Sequence, residues 1–126
     1  MQTDLIDTIF NISDDVRYVA VYQDGHLESR SRADRKHASG SESDRYEELL
    51  VNPTLLKLSA QRGEIDCGGL AYLLVRYGNF FQLVVPTDGG HLSVCIEKNA
   101  DPLLIAAHTV TLATNPNELD GFSGGA

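Results

Sequence analysis

The order of helical and strand-like segments predicts a single α+β domain, built on one antiparallel five-stranded sheet with helices on both faces. Three observations support this. Asp24-Gly25 separates two strand-like runs, and this dipeptide favours a tight hairpin because a type I′ turn needs positive φ at both central residues. Three further strand-like runs, 66–77, 80–86 and 91–97, follow one another with short links, which is typical of a meander. Helical patterns flank both groups of strands.

The first third of the chain predicts a helix and a hairpin. Apolar residues at helical spacing predict an amphipathic helix over 3–12: Leu5, Ile6, Ile9 and Phe10. In the strand 16–23 both alternating sets are largely apolar, so we expect it to be covered on both faces. The return strand, 26–32, is charged or hydroxylic, which is typical of an edge strand protected against association. Residues 33–43 have almost nothing to bury, so we expect a mobile loop there.

A helix in the middle of the chain begins at Ser41, or at Asp44 with Glu47 as a capping box. We expect Asn52-Pro53 to break or kink it, with Asn52 capping a second segment that ends at Gly63. The apolar residues predicted to face inward are Tyr46, Leu49, Leu50, Leu55, Leu56, Leu58 and Ala60. A final helix spans 103–113. We therefore expect one domain over 1–114 and a disordered tail over 115–126.

Composition excludes several classes of protein. The formal charge of −8 argues against nucleic-acid binding, which needs a basic surface to release counterions. Half of the ten basic residues lie between 30 and 45, where a solvated loop is favoured over an anion site: Arg30, Arg32, Arg35, Lys36 and Arg45. No apolar run approaches the ~18 residues of a membrane span, and the N-terminus lacks a basic segment. We expect a cytoplasmic protein, with no membrane partner and two reduced, buried thiols, Cys67 and Cys95.

No arrangement of side chains predicts catalysis, a cofactor or a metal. His91 and Ser93 lie two residues apart on one strand, and nothing orients them with Asp88 as a triad. Adjacent Glu47 and Glu48 diverge by about 100° on a helix, which indicates a solvated face. Cys67, Cys95, His91 and His26 lack the spacing of a zinc site. The glycine pairs at 68–69 and 89–90 lead into strands, so they are not phosphate cradles, and 68–69 indicates a bulge or a close backbone approach. We expect a non-enzyme.

The segment 18–25, YVAVYQDG, together with the leading helix, middle helix, three-strand meander and closing helix, resembles the profilin-like roadblock/LC7 family over residues 3–114. The resemblance implies sheet order 2-1-5-4-3, with the middle helix on one face and the terminal helices on the other. Members of that family are non-catalytic dimers that act as scaffolds, dynein-associated light chains or regulators of small Ras-like GTPases. The Asn52-Pro53 break departs from the continuous middle helix of the family.

This order makes strand 3 an apolar edge at 70–75, and the simplest cover for such an edge is a second copy of the chain. We predict a homodimer interface formed by Leu49, Leu55, Leu56, Ala71, Leu73 and Val75. The predicted function is a dimeric adaptor or regulator that binds another protein, with a small Ras-like GTPase as the partner that the resemblance suggests. The alternative is a small-ligand sensor of PAS-like or GAF-like type, its pocket lined by Tyr72, Tyr77, Phe80 and Phe81.

Overall fold

A computed structural model describes residues 2–33, 35 and 38–114, and its elements follow the predicted order. They are α1 (Gln2–Phe10), β1 (Val16–Gln23), β2 (His26–Ser31), α2 (Ser41–Tyr46), α3 (Asn52–Asp66), β3 (Leu73–Arg76), β4 (Phe80–Thr87), β5 (Gly90–Glu97) and α4 (Pro102–Thr114). A π-helical segment, Glu47–Val51, joins α2 to α3. The strands form one antiparallel sheet in the order β2-β1-β5-β4-β3, which confirms the predicted fold class. The tail 115–126 lies outside the described residues.

One face of the sheet, the apolar face, carries Val19 and Val21 of β1 beside their partners Val94 and Leu92 of β5. It forms a continuous core with α1 and α4, whose contributions are Ile6, Ile9, Phe10, Ile105, Ala106 and Leu112. The β1–β2 turn has positive φ at Asp24 (51°) and Gly25 (84°), as the Asp-Gly dipeptide predicted. The strand β1 is covered on both faces, again as predicted.

The middle helix, which we define as Ser41–Asp66, has no break at Asn52-Pro53, and Asn52 does not cap α3, but a new helical segment does begin there, as predicted, after a π-helical turn. Asn52 is helical (φ −62°, ψ −47°), and its N–H donates to the carbonyl of Glu47, the i−5 bond of a π turn. Pro53 stands in the first turn of α3, where helices tolerate proline. A π turn in place of a break keeps the helix continuous.

The helix also does not stop at Gly63, since α3 continues to Asp66. Gly63 is buried, and a Cβ added there would lie 2.8 Å from the backbone carbonyl of Gly69. The glycine is therefore needed for a close approach of two chain segments, and the predicted close approach at 68–69 is observed. As a consequence β3 begins at Leu73 rather than at 66, and Cys67 lies exposed at the end of α3, not buried as expected.

Three of the clustered basic residues bind within the chain. Arg30 forms an ion pair with Asp7 of α1. Arg32 donates to the backbone carbonyls of Val16, Phe10 and Ser13 at 2.7–3.1 Å. Arg35 lies 3.2 Å from a carboxylate oxygen of Glu97. These bonds attach the segment after β2 to the body of the domain, in line with a structural role for these cations. Lys36 lies outside the described residues.

Candidate interaction surface

The polarity of the middle helix is the reverse of what a surface helix normally shows. Its buried residues are Glu48, Asn52, Leu56 and Gly63, and the exposed fraction of Glu48 is 0%. The large apolar side chains point to solvent instead: Leu58 is 61% exposed and Ile65 76%, and Tyr46, Leu49 and Leu50 are exposed as well. The predictions that Tyr46, Leu49, Leu50 and Leu58 face inward and that Glu48 is solvated were therefore wrong.

The sheet surface under the helix explains why a carboxylate is buried there. The other face of the sheet is its polar face. The strand register places Tyr18, Cys95 and Gln82 in one row of this face, Ala20, Ser93 and Val84 in the next, and Tyr22 and His91 in the third. Polar groups on a covered face need hydrogen-bond partners from the covering element. A helix that presented leucines to this face would leave those polar groups unsatisfied.

Glu48 supplies such a partner through a carboxylate that accepts three hydrogen bonds. The Tyr18 hydroxyl donates to Oε2 at 3.1 Å, and the Asn52 amide nitrogen donates to Oε1 at 2.9 Å. Nε2 of His91 lies 2.8 Å from Oε1, and the His91 ring stacks on Tyr22 at 5.5 Å between centroids. This network, which we call the Glu48 network, ties the middle helix to β1 and β5 at a single position.

The network extends to the neighbouring strand. The Ser93 hydroxyl receives hydrogen bonds from the Gln82 amide and, at 3.5 Å, from the Asn52 amide. The Cys95 thiol donates to the Gln82 carbonyl oxygen at 3.0 Å. Asn52 Oδ1 is buried and has no hydrogen-bond partner within the described part of the chain. Directional bonds of this kind set the register of the helix on the sheet more narrowly than apolar contact does.

Burial controls the protonation of the groups in and beside this network. Burial raises the pKa of the Tyr18 hydroxyl and of the Cys95 thiol, and the Glu48 carboxylate adds to both shifts. Burial also raises the pKa of Glu47, while the hydrogen bond from the Tyr77 hydroxyl opposes that change. The pKa of Tyr77 rises to about 12, because of burial first and the Glu47 charge second.

The candidate catalytic groups do not assemble into an open site. His91 and Ser93 share one face of β5, as predicted, but both are buried beneath the middle helix. The partner of His91 is Glu48, whereas Asp88 is exposed in the β4–β5 turn. Any substrate would have to displace the middle helix to reach these side chains. The geometry therefore serves packing rather than substrate access.

The residues proposed as metal ligands or as a ligand pocket are also separated. Cys67 lies at the end of α3 and His26 in the hairpin, away from the buried Cys95 and His91. The described ranges contain no cluster of three or more potential metal ligands. Of the aromatic residues, Tyr72 and Phe81 pack against the apolar core, whereas Tyr77 contacts Phe80 edge to face at 5.8 Å.

An exposed apolar surface results from the reversed helix and the sheet edge beside β3. We define the outer stripe of the middle helix as Tyr46, Leu49, Leu50, Leu58 and Ile65. Of the residues predicted for a dimer interface, Leu49 and Ala71 are exposed, while Leu55, Leu73 and Val75 are half-buried. Leu56 is buried within the chain itself, so it offers no free surface.

Sequence reasoning missed Leu50, Leu58 and Ile65 as surface residues, although a signal was present. On β5 the polar residues His91 and Ser93 alternate with apolar ones, and on β4 Gln82 interrupts an otherwise apolar run on the same face. That period-2 pattern indicates a polar sheet face, and a helix covering it has to turn its own polar residues inward.

Within the described residues, no helix has the length and apolar character needed to cross a membrane.

Comparison with known proteins shows a similarity of fold. No family model and no curated protein matches the sequence. Among solved structures, a Roadblock/LC7 domain from Streptomyces avermitilis is similar, with 14% identity and a TM-score of 0.67 over 91% of this chain and 93% of that one. A second, described as MglB with tetrameric arrangement, has 7% identity and a TM-score of 0.69 over 93% and 85% of the two chains. MglC from Myxococcus xanthus has 11% identity and a TM-score of 0.55 over 91% and 93%. The chain therefore has the roadblock/LC7 fold.

Proposed function

We propose that the chain is a non-catalytic interaction module that forms a homodimer through the outer stripe of the middle helix and the edge strand β3. The observation that carries this proposal is the reversed polarity of that helix, with Glu48 wholly buried and Leu58 and Ile65 largely exposed. Complete burial of one leucine or isoleucine side chain contributes about 1.5–3 kcal/mol. Several large apolar side chains exposed along one helix are a feature of interaction sites.

A second copy fits this surface for geometric reasons. The strand β3 lies at one edge of the sheet, and its residues 73–75, Leu-Leu-Val, are uncharged. An antiparallel pairing of β3 with its own copy about a two-fold axis is self-complementary and closes at the dimer. It joins two sheets into one and places both middle helices on the same side. The stripe of one helix then lies beside that of the other.

The dimer would present its remaining surface to another protein. The roadblock/LC7 resemblance suggests a small Ras-like GTPase as that partner, with the chain acting as adaptor or regulator. The tetrameric arrangement of the similar MglB structure supports self-association as a use of this fold. A pull-down with GTPases loaded with GDP or with a GTP analogue tests the partner. Capture in one nucleotide state supports regulation, and failure in both states contradicts the GTPase assignment.

Charge substitutions on the stripe test the dimer. Leu50→Lys with Leu58→Lys alters only exposed side chains, so we expect a folded monomer of 13.8 kDa by light scattering. Asn99→Lys, on an exposed turn, is the matched control and should leave the dimer intact. Leu73→Lys with Val75→Lys tests β3 and should give monomer or insoluble protein. If the variant with both helix substitutions remains a dimer, the outer stripe is not part of the interface.

A further inference from the structure

Glu47 lies where the two elements of the proposed dimer interface meet. It stands on the middle helix, within one turn of the exposed stripe residues Tyr46 and Leu50. Its Oε1 accepts a hydrogen bond of 3.2 Å from the hydroxyl of Tyr77, a residue that directly follows the edge strand β3. The carboxyl group of Glu47 therefore connects the helix to the strand that would pair with its copy in the dimer.

The second carboxylate oxygen of Glu47 is buried without a donor. Glu47 Oε2 has no hydrogen-bond partner among the described residues, and no ion pair in that part of the chain includes Glu47. A buried carboxylate oxygen without a donor raises the free energy of the ionised form, whereas a protonated carboxyl group is neutral and costs less to bury. A proton is therefore the simplest ligand that relieves this position.

The groups that face Glu47 determine how readily it takes up that proton. Burial is the largest cause of its raised pKa, and the hydrogen bond from Tyr77 opposes the change. The negative charges of Glu48 and Asp44, on the same helix, raise the pKa of Glu47 further. His91 on β5 lowers it, but the ring of His91 is itself bound to Glu48 at 2.8 Å. Protonation of Glu47 is thus favoured mainly by the exclusion of water.

A second copy of the chain would exclude more water from Glu47. The side chain is only half-buried in one chain, and a copy laid on the outer stripe would cover the rest with apolar groups. We propose that the proton controls self-association, so that protonation of Glu47 strengthens the dimer and its ionisation weakens it. This inference rests on the proposed homodimer and adds its regulation.

The direction of the pH dependence follows from reciprocal coupling. If association makes the ionised form of Glu47 less favourable, then protonation tightens association by the same factor. The dimer is tightest below the pKa of Glu47 in the free chain, and it weakens as the pH rises through the pKa of Glu47 in the dimer. Coupling between two binding events typically changes an affinity by about 5–150-fold.

Sedimentation equilibrium at constant ionic strength, between about pH 5.5 and pH 8, tests the proposal. We expect the dissociation constant of the wild-type dimer to rise by at least about fivefold over this range. Glu47→Gln keeps an acceptor for Tyr77 and carries no charge, so its dissociation constant should stay near the low-pH value of wild type. The control Glu42→Gln removes an exposed carboxylate from the same helix and should keep the wild-type pH dependence.

Tyr77→Phe gives a second readout, one that a packing role of Glu47 would not move. It removes the hydrogen bond that opposes the raised pKa of Glu47, so the rise in the dissociation constant should move to higher pH. An equal pH dependence in wild type and Glu47→Gln, or a wild-type dimer whose affinity does not change with pH, overturns this inference but leaves the proposed dimer. A wild-type chain that is monomeric at every pH contradicts the proposed function instead.

Discussion

Replacing Glu48 tests whether the buried network holds the middle helix in place. Glu48→Ala removes the acceptor of three buried donors, at 2.8 Å from His91, 2.9 Å from Asn52 and 3.1 Å from Tyr18. Each buried donor left without a partner costs about 1–3 kcal/mol, so we expect a total loss of about 3–5 kcal/mol, which is a large part of the 5–15 kcal/mol stability of a typical domain. Glu48→Gln keeps the shape and one acceptor oxygen, so we expect a smaller loss of about 1–3 kcal/mol.

The assay is urea unfolding followed by circular dichroism at one fixed protomer concentration, because dimerisation contributes to the apparent stability. The matched control is Glu64→Ala, which removes an exposed carboxylate from the same helix and should change the free energy of unfolding by less than about 0.5 kcal/mol. If Glu48→Ala is no more destabilised than Glu64→Ala, the network does not anchor the helix, and the account of its reversed polarity fails.

For two further substitutions the structure predicts whether stability rises or falls. Burial raises the pKa of Glu47 in the folded chain above its value of 4.5 in the unfolded chain. The folded chain therefore holds this proton more tightly, and its free energy of unfolding falls as the pH rises from 4.5 through the folded pKa. Glu47→Gln, which keeps an acceptor for Tyr77, should raise the melting temperature at pH 7 but not at pH 4; an equal gain at both would contradict this cause. Gly63→Ala should lower the free energy of unfolding in urea by about 1–3 kcal/mol, because the added Cβ would clash with the backbone of Gly69. In the control Gly78→Ala the Cβ has no neighbour within 4 Å, so the free energy of unfolding should be nearly unchanged.

The strands were predictable because their signals are local. The Asp24-Gly25 turn fixes the β1–β2 hairpin, and alternation with short links defines β4 and β5. The order of the sheet was not derivable from these patterns, and it came instead from the resemblance to roadblock/LC7 domains. The structure confirms that order.

The middle helix was mispredicted because its orientation depends on a distant surface. The helix pattern alone predicts that the leucines face the core. The sheet beneath the helix, however, presents Gln82, His91 and Ser93, and there an inward Glu48 finds hydrogen-bond partners that a leucine could not use. Gly63 was read as a helix stop, although its role is the close contact with Gly69.

The mass of the wild-type chain in solution tests the proposed homodimer most directly. An uncovered outer stripe implies a monomer, and a covered one implies a dimer. Multi-angle light scattering across a dilution series into the high micromolar range needs no variant and no partner. We expect twice 13.8 kDa throughout the upper part of the series. A mass of 13.8 kDa at every concentration would contradict the proposed dimer and leave the exposed leucines of the middle helix unexplained.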